Sequence, residues 1–407
     1  MIWKKLSNVG KMAYPFVWRV FILLLFAPLV GCRPWYARSV KGWEVRSLPH
    51  DSLLVNEFHL VGDAGKWKLG DGMQALVARQ INRSQAPGAV IFLGDNIYEW
   101  GLPDSASKDF AESNEYLQAQ LNTTANYRYP VRFIAGNHDW AASYKMKPEG
   151  LRNLQNQART VAAYSPQHKL SPEPGCPGPE AELLPTGWVL ILLDTQWWMQ
   201  TDREKALPAG CPCRTEAQVL NRLDSLLKTH ADSPVLVVAH HPVVDNGPAG
   251  KRYTLRDHIF PLTAFNPHLW IPLPLIGSGV VAMRLLGKPF TDQTHPAYAR
   301  LVKGLKQVLA QHPRVVYANG HEHNQQYHQV GTVHYIGTGS AAKRSSVTQG
   351  NRAEFVDTHR GYAVLRTYRN DETWVEYRAE GHHHDAYKVA YRRKLWDAMP
   401  TSLLPGR

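Results

Sequence analysis

The sequence predicts an α/β fold, a layered sheet whose strand ends gather along one edge. Three observations carry that prediction. Short apolar runs, such as AVIFL at 89–93 and VLVVA at 235–239, suit strands buried on both faces. Segments of helical spacing alternate with them; Met73, Leu76, Val77 and Ile81 form one. Five strands end in side chains able to hold a metal: Asp63, Asp95 with Tyr98, Asn137 with His138, His240, and His321 with His323. One strand end of that kind arises readily by chance, but five in succession do not. With the strand ends on one edge, ligands from five distant segments can meet in a single pocket.

Taken in order, the chain opens on an export signal at 1–31. Lys4, Lys5, Lys11 and Arg19, with no acid among them, precede an apolar core that starts at Val20. At about a dozen residues the core is too short for the roughly 20 that a spanning helix takes. It ends in Leu29-Val30-Gly31-Cys32, which resembles the bacterial lipobox. That resemblance implies cleavage before Cys32 and lipidation of its sulfur and amino group; an ordinary signal peptide with an incidental cysteine is the alternative. A lipidated terminus places the globular part outside the cytoplasm, on a membrane of the bacterial cell envelope, in the periplasm or at the cell surface. Residues 32–55 read as a tether, 56–380 as the domain and 381–407 as a solvated tail whose His382, His383 and His384 bind metal only adventitiously.

Composition narrows the function classes. Of 407 residues, 44% are hydrophobic and 20% charged, enough for a sizeable core. The net charge of +12 counts 46 basic and 34 acidic side chains; without the four basic residues of the signal it is 42 − 34 = +8. That mild excess suits an anionic substrate or an anionic membrane. No dense Lys/Arg run with interleaved aromatics occurs, so nucleic acid is not an expected partner. In an oxidising compartment Cys176 is expected to bridge to Cys211 or to Cys213, leaving one thiol free. A zinc site made of the three cysteines is the weaker alternative.

Within the domain, a strand at 57–61 leads to Gly62-Asp63-Ala64-Gly65, and a helix closed by Pro87-Gly88 follows. The strand at 89–93 delivers GDNIYEW, residues 94–100, where Asp95 and Tyr98 converge. A carboxylate and a phenol at a strand end suit a hard metal ion; the plainer reading is a capped turn beside a packed tyrosine. A helix across Phe110, Tyr116 and Leu121 precedes the strand at 131–135, which delivers Gly136-Asn137-His138-Asp139-Trp140. The strand at 188–193 ends at Asp194, and a helix over Val219, Leu223 and Leu226 leads to the strand before His240-His241-Pro242. The strand at 315–318 precedes Gly320-His321-Glu322-His323, and the last third alternates as short antiparallel strands. On a strand end only one of two adjacent side chains faces the pocket, whereas His321 and His323, two apart, share a face and leave Glu322 pointing away. Trp140, Trp197 and Trp198 are expected in the core, with a substrate wall as the alternative. The segment 251–296 breaks the rhythm; two prolines and Arg284 argue against a spanning helix, which leaves a surface-packed insertion, a lid or a membrane-facing loop.

The ordered set GDAG, GDNIY, GNHD, the strand ending in His240, and GHEH resembles the calcineurin-like metallophosphoesterase superfamily, and within it the purple acid phosphatases. The resemblance covers roughly residues 58–377. Most of that superfamily carries Asp-x-His at the first motif; here Gly65 stands at the His position, and Tyr98 stands where the purple phosphatases supply a tyrosinate. The resemblance implies a four-layer α/β/β/α sandwich of two mixed sheets flanked by helices. It also implies two metals: Fe(III) on Asp63, Tyr98 and His323, and a divalent Fe, Zn or Mn on Asn137, His240 and His321, with Asp95 bridging. His138 would stabilise the phosphate or protonate the leaving group, and Asp139 would orient His138 or serve the turn. The implied activity is hydrolysis of phosphate monoesters on a phosphorylated small molecule or protein. A phosphodiesterase and a non-catalytic envelope-assembly lipoprotein are the alternatives. One departure stands out: residues 243–250 hold no substrate-facing histidine, and His241, His258, Arg252 or Lys66 are candidates to replace its charge.

Overall fold

The computed structural model describes residues 34–84, 86–142, 147–203, 207–250, 255–264, 269–287, 291–349, 352–381 and 387–397. The expected export signal with Cys32 and the histidines at 382–384 lie outside the described residues.

Residues 35–43 are not a free tether. Strand β1 (Trp35–Tyr36) pairs antiparallel with residues 355–356, and the Tyr36 hydroxyl donates to the Ala390 carbonyl at 2.6 Å. Tyr36 stacks on Phe355 and Trp43 meets Tyr391 edge-on, so aromatic burial draws residues 35–43 onto the domain.

Strand β2 (Leu54–Val61) follows, then helix α1 (Gly72–Arg83). The Asp71 carboxylate accepts from the amides of Met73 and Gln74, which caps α1, and the helix buries Met73, Leu76, Val77 and Ile81 as their spacing predicts. Next come β3 (Gly88–Phe92), α2 (Phe110–Thr123), β4 (Val131–Phe133), α3 (Pro148–Tyr164) and β5 (His168–Leu170). The second half of the alternation is β6 (Glu180–Leu183), β7 (Val189–Leu192), a short α4 (Gln196–Met199), α5 (Glu216–Thr229) and β8 (Val235–Val238). Helix α5 starts on a capping box between Thr215 and Gln218. Two helices, α6 (Leu255–Ile259) and α7 (Pro274–Gly287), precede α8 (Pro296–Leu309) and β9 (Val315–Asn319). The remaining strands are β10 (Gln325–Val330), β11 (Val333–Thr338), β12 (Phe355–Asp357), β13 (Gly361–Tyr368), β14 (Thr373–Glu380) and β15 (Tyr387–Trp396). Strand β15 replaces the solvated tail expected after residue 380. It pairs antiparallel with β14 and buries Ala390 and Tyr391. It escapes the pattern of a strand because it is an edge strand rich in Lys and Arg, a common defence against edge pairing.

The strands form two mixed sheets flanked by helices. One runs β1-β12-β10-β11-β9-β8-β7-β6 and the other β15-β14-β13-β2-β3-β4-β5. Pairing is parallel through β2, β3, β4 and β5 in one sheet and through β7, β8, β9 and β11 in the other. Alternate side chains of the central strands define three cores. Ala89, Ile91, Leu236 and Val238 meet in the core between the sheets. Val90 and Phe92 pack under α1, α2 and α3, whereas Val235 and Val237 pack under α5 and α8. Burial on both faces is why these strands read as unbroken apolar runs.

The described residues divide into two compact units. Residues 255–264 and 269–287 form the smaller one, and every strand belongs to the larger. The smaller unit ends before position 296, because the Gln293 amide donates to Ala249 and its side chain to Pro242. Cys176 is bonded to Cys211, and Cys213 is a buried free thiol. The bridge spans a sequence separation of 35. In the chain-entropy account, Cys176→Ala should therefore cost about 3–4 kcal/mol, measured as the loss of unfolding free energy in denaturant without reductant.

Candidate metal centre

All seven ligand candidates come from loops at the carboxyl ends of central strands, the place where open α/β sheets keep their sites. Asp63 follows β2, Asp95 follows β3, Asn137 follows β4, His240 follows β8, and His321 and His323 follow β9. Asp63, Asp95 and His321 have positive φ, 58°, 50° and 69°, so the backbone turns sharply just past the strand. That conformation is uncommon for a side-chain-bearing residue and recurs at functional sites.

The side chains gather into two triads. In the first, the Tyr98 hydroxyl lies 3.0 Å from Asp63 Oδ1 and 3.0 Å from His323 Nε2, and His323 Nε2 lies 3.4 Å from Asp63 Oδ1. In the second, Asn137 Oδ1 is 3.2 Å from His240 Nε2 and 3.1 Å from His321 Nδ1, and the two imidazole nitrogens are 3.2 Å apart. Asp95 Oδ1 lies 3.3 Å from His240 Nε2. Ligand atoms of Asp63, Asp95 and His240 all fall within 4.8 Å of one another, so Asp95 stands between the triads. His240 Nδ1 donates to the Leu93 carbonyl at 2.8 Å, which turns Nε2 toward Asp95 and Asn137.

Gly65 explains how Tyr98 reaches its position. The Gly65 amide donates to Asp95 O at 3.0 Å, and the Tyr98 amide donates to Gly65 O at 3.2 Å. A Cβ at position 65 would lie 2.5 Å from Asp95 O and 2.7 Å from Ile97 N. The loop carrying Tyr98 thus closes directly over residue 65, and any side chain there excludes it. Absence of a histidine at 65 and presence of the phenol at 98 are one steric fact.

Electrostatics set a demand for positive charge. Burial raises the Tyr98 phenol well above its ordinary range, and the charges of Asp63 and Asp95 add to the rise. Burial works against ionised Asp95, but His240, His138 and the His138 amide hold it below the usual carboxylate range. Burial and His240 push His321 down to about 3, which keeps its imidazole in the neutral, ligating form. A cation among these donors lets two carboxylates and a phenolate share a buried pocket, so the residues fit a metal.

Asp139 is not where an orienting acid would be. Its carboxylate accepts from the amides of Gly136, Asn96 and Ile97 at 2.8–3.2 Å and from the Asn96 side chain. It clasps the Asp95 loop to the Asn137 loop and leaves the His138 ring alone. The ring is held instead by the Glu99 carbonyl, which accepts from Nδ1 at 2.8 Å, and by edge-on contact with Tyr98. His138 Nε2 is then 3.9 Å from Asp95 Oδ2, at the half-buried mouth of the site. Through these bonds Asp139 serves the turns of the centre. Glu322 is buried, and its Oε1 accepts from the Ala249 amide at 2.7 Å, which ties the loop after His240 to the His321 loop. Trp140, Trp197 and Trp198 are all buried, and Trp140 donates to Asp194 Oδ2 at 2.9 Å.

Of the four candidates for the missing charge, Lys66 pairs with Glu99 at 3.0 Å beside His138, and His241 is buried against Thr195. Arg252 lies outside the described residues, and His258 belongs to the smaller unit. A further cation at the site is Lys343, which strand-end reasoning missed. Its Nζ sits 3.2 Å from the Tyr98 ring centroid and 3.8 Å from Glu99 Oε1. Its loop is held on the site by Ala342 N to Asp63 O and Ser345 N to His323 O. Extending the strand-end search to the loop after β11 would have found it.

A family model for calcineurin-like phosphoesterases matches residues 58–271, more than half of the chain. The chain belongs to the calcineurin-like phosphoesterase family. It is accordingly a metal-dependent hydrolase of phosphoric esters, and the family assignment rests on that match. Among solved structures, this phosphoesterase is similar to GAP50, the anchor in the inner membrane complex of Plasmodium (TM-score 0.49, 15% identity, covering 86% of this chain and 91% of that one). It is similar to the purple acid phosphatase PPD1 from yellow lupin (Lupinus luteus) seeds (TM-score 0.48, 11% identity, covering 84% of this chain and 53% of that one). It is also similar to PhoD (TM-score 0.48, 12% identity, covering 85% of this chain and 72% of that one). No curated protein sequence matches the phosphoesterase. Because the Tyr98 loop rests on residue 65, Gly65→Ala should weaken metal binding by about tenfold or more; elemental analysis of the folded variant, with circular dichroism as the fold control, measures it.

Proposed function

We propose that this chain hydrolyses phosphate monoesters at a dinuclear metal centre and is a lipid-anchored protein of the bacterial cell envelope. The observation that carries the reaction is the pair of donor triads on either side of Asp95. Asp63, Tyr98 and His323 would hold a ferric ion, and Asn137, His240 and His321 a divalent iron, zinc or manganese, with Asp95 shared. Donor chemistry supports that division, since carboxylate and phenolate favour a hard trivalent ion while imidazole and amide suit a borderline divalent one. When bound, such a pair supplies Lewis acidity toward phosphoryl oxygens and a nucleophile from water.

The remaining work falls to the chain's own side chains. With Nδ1 donating to the Glu99 carbonyl, His138 keeps Nε2 for the substrate; protonated, it donates to the ester oxygen as that oxygen leaves. Lys343 and Lys66 bring positive charge to the same mouth, which suits the dianionic phosphate of a monoester better than a diester monoanion. Envelope location is supported by Leu29-Val30-Gly31-Cys32 after an apolar core and, independently, by the Cys176–Cys211 bridge, which fits an oxidising compartment.

Purified from iron-containing medium, the protein should be violet and hydrolyse an aryl phosphate monoester faster than the matching diester. Asp95→Asn should abolish turnover, and His138→Ala should lower kcat about 10²–10⁴-fold. A colourless, metal-free protein, or an Asp95→Asn variant as fast as wild type, would sink the reading; faster diester turnover would move it to a phosphodiesterase. Lys343→Met should raise KM for the monoester by up to about tenfold, the scale of one charge-assisted hydrogen bond, with a smaller change in kcat, as steady-state kinetics would measure.

A further inference from the structure

We propose that helix α7 is a membrane-contact helix that lies along the interface of a bilayer containing anionic lipid. The smaller unit is short, yet it carries seven of the twelve exposed large apolar side chains among the described residues. Five of them belong to α7, where Leu275 and Leu286 are 89% and 84% exposed. At 3.6 residues per turn, Leu275, Leu286, Met283, Ile276 and Val280 fall within one arc of about 140°. Gly277 and Val281, both buried, occupy the opposite side. That side rests on α6: a Cβ at Gly277 would lie 2.2 Å from His258 O, and the His258 ring is 3.1 Å from the Ser278 hydroxyl. The way α7 seats on α6 therefore turns a continuous apolar face outward, which differs from the scattered apolar residues of an ordinary surface.

Charge and length point to a bilayer as the occupant. Between positions 258 and 291 the sequence has no carboxylate, while Arg256, Arg284 and Lys288 lie in or beside this stretch. A basic, acid-free segment is drawn to a negatively charged lipid surface. Helix α7 has 14 residues, a length of about 21 Å, short of the ~30 Å hydrocarbon core. None of the described helices is long and apolar enough to cross a membrane, so α7 lies in the interface rather than through it. Trp270 stands just before the helix, half-exposed, with the Arg256 guanidinium 5.6 Å from its ring centroid and Phe260 edge-on at 5.2 Å. An amphipathic aromatic of that kind sits at head-group level. The contact uses no residue of the metal centre and adds a second attachment to the lipid anchor proposed at Cys32.

The test uses the full-length protein with an environment-sensitive fluorophore at Met283→Cys, reconstituted on vesicles of phosphatidylglycerol and phosphatidylethanolamine. A label at Leu183→Cys, an exposed strand position of the larger unit, is the control. The label at 283 should shift to the blue and be quenched by nitroxide lipid but not by iodide, while the label at 183 stays open to iodide. On neutral phosphatidylcholine vesicles, lipid quenching at 283 should fall by at least about threefold. Adding Leu275→Glu and Leu286→Glu, both at exposed positions, should return the label at 283 to iodide. A label at 283 as open to iodide as that at 183 overturns the proposal. So does one shielded from both quenchers, as a protein partner would shield it, and so does equal lipid quenching on neutral vesicles.

Discussion

Two buried carboxylates, Asp63 and Asp95, stand within ligand reach of each other, and like charges in a dry pocket must be met by donors or by a cation. Much of the surrounding structure answers that requirement. The His321 amide donates to Asp63 and the His138 amide to Asp95, each at 2.8–2.9 Å. Three imidazoles, an amide oxygen and a phenol stand beside them as candidate ligands. Parallel strands in two facing sheets bring these groups to one edge, and three apolar cores hold the sheets in place.

The same requirement explains residues that hold the loops of the centre. Asp139 fastens the loops of Asp95 and Asn137 through backbone amides, which fixes the spacing between the triads. Glu322 fastens the loop after His240 to the loop of His321 and His323. Gly65 keeps the floor clear for the Tyr98 loop. Each sits next to a ligand candidate in sequence or in space, where it fixes the loop that carries that candidate.

Much of this was legible in the chain. Apolar runs such as 89–93 mark the strands because those strands are buried twice, and the strand-end rule then locates Asp63, Asp95, Asn137, His240 and His321. Two segments depart from their sequence pattern for opposite reasons. Residues 35–43 lack any period and are held by aromatic stacking on distant residues, whereas β15 hides a strand behind the Lys and Arg of an exposed edge. Lys343 escapes a search of the ligand-bearing strand ends because it follows β11, and the hydrogen bonds of its neighbours to Asp63 and His323 hold its loop over Tyr98.

By itself the sequence determined which strands form, which loops end them and which residue types wait there, because periodicity and turn chemistry are local. It also determined the choice between histidine at 65 and tyrosine at 98. Tertiary structure decided the rest: how six donors form two triads with Asp95 between them, that Asp139 clasps two loops, that Cys176 takes Cys211, and which face of α7 is turned outward. These are matters of distance between segments far apart in the chain, and only the packing of the elements sets such distances.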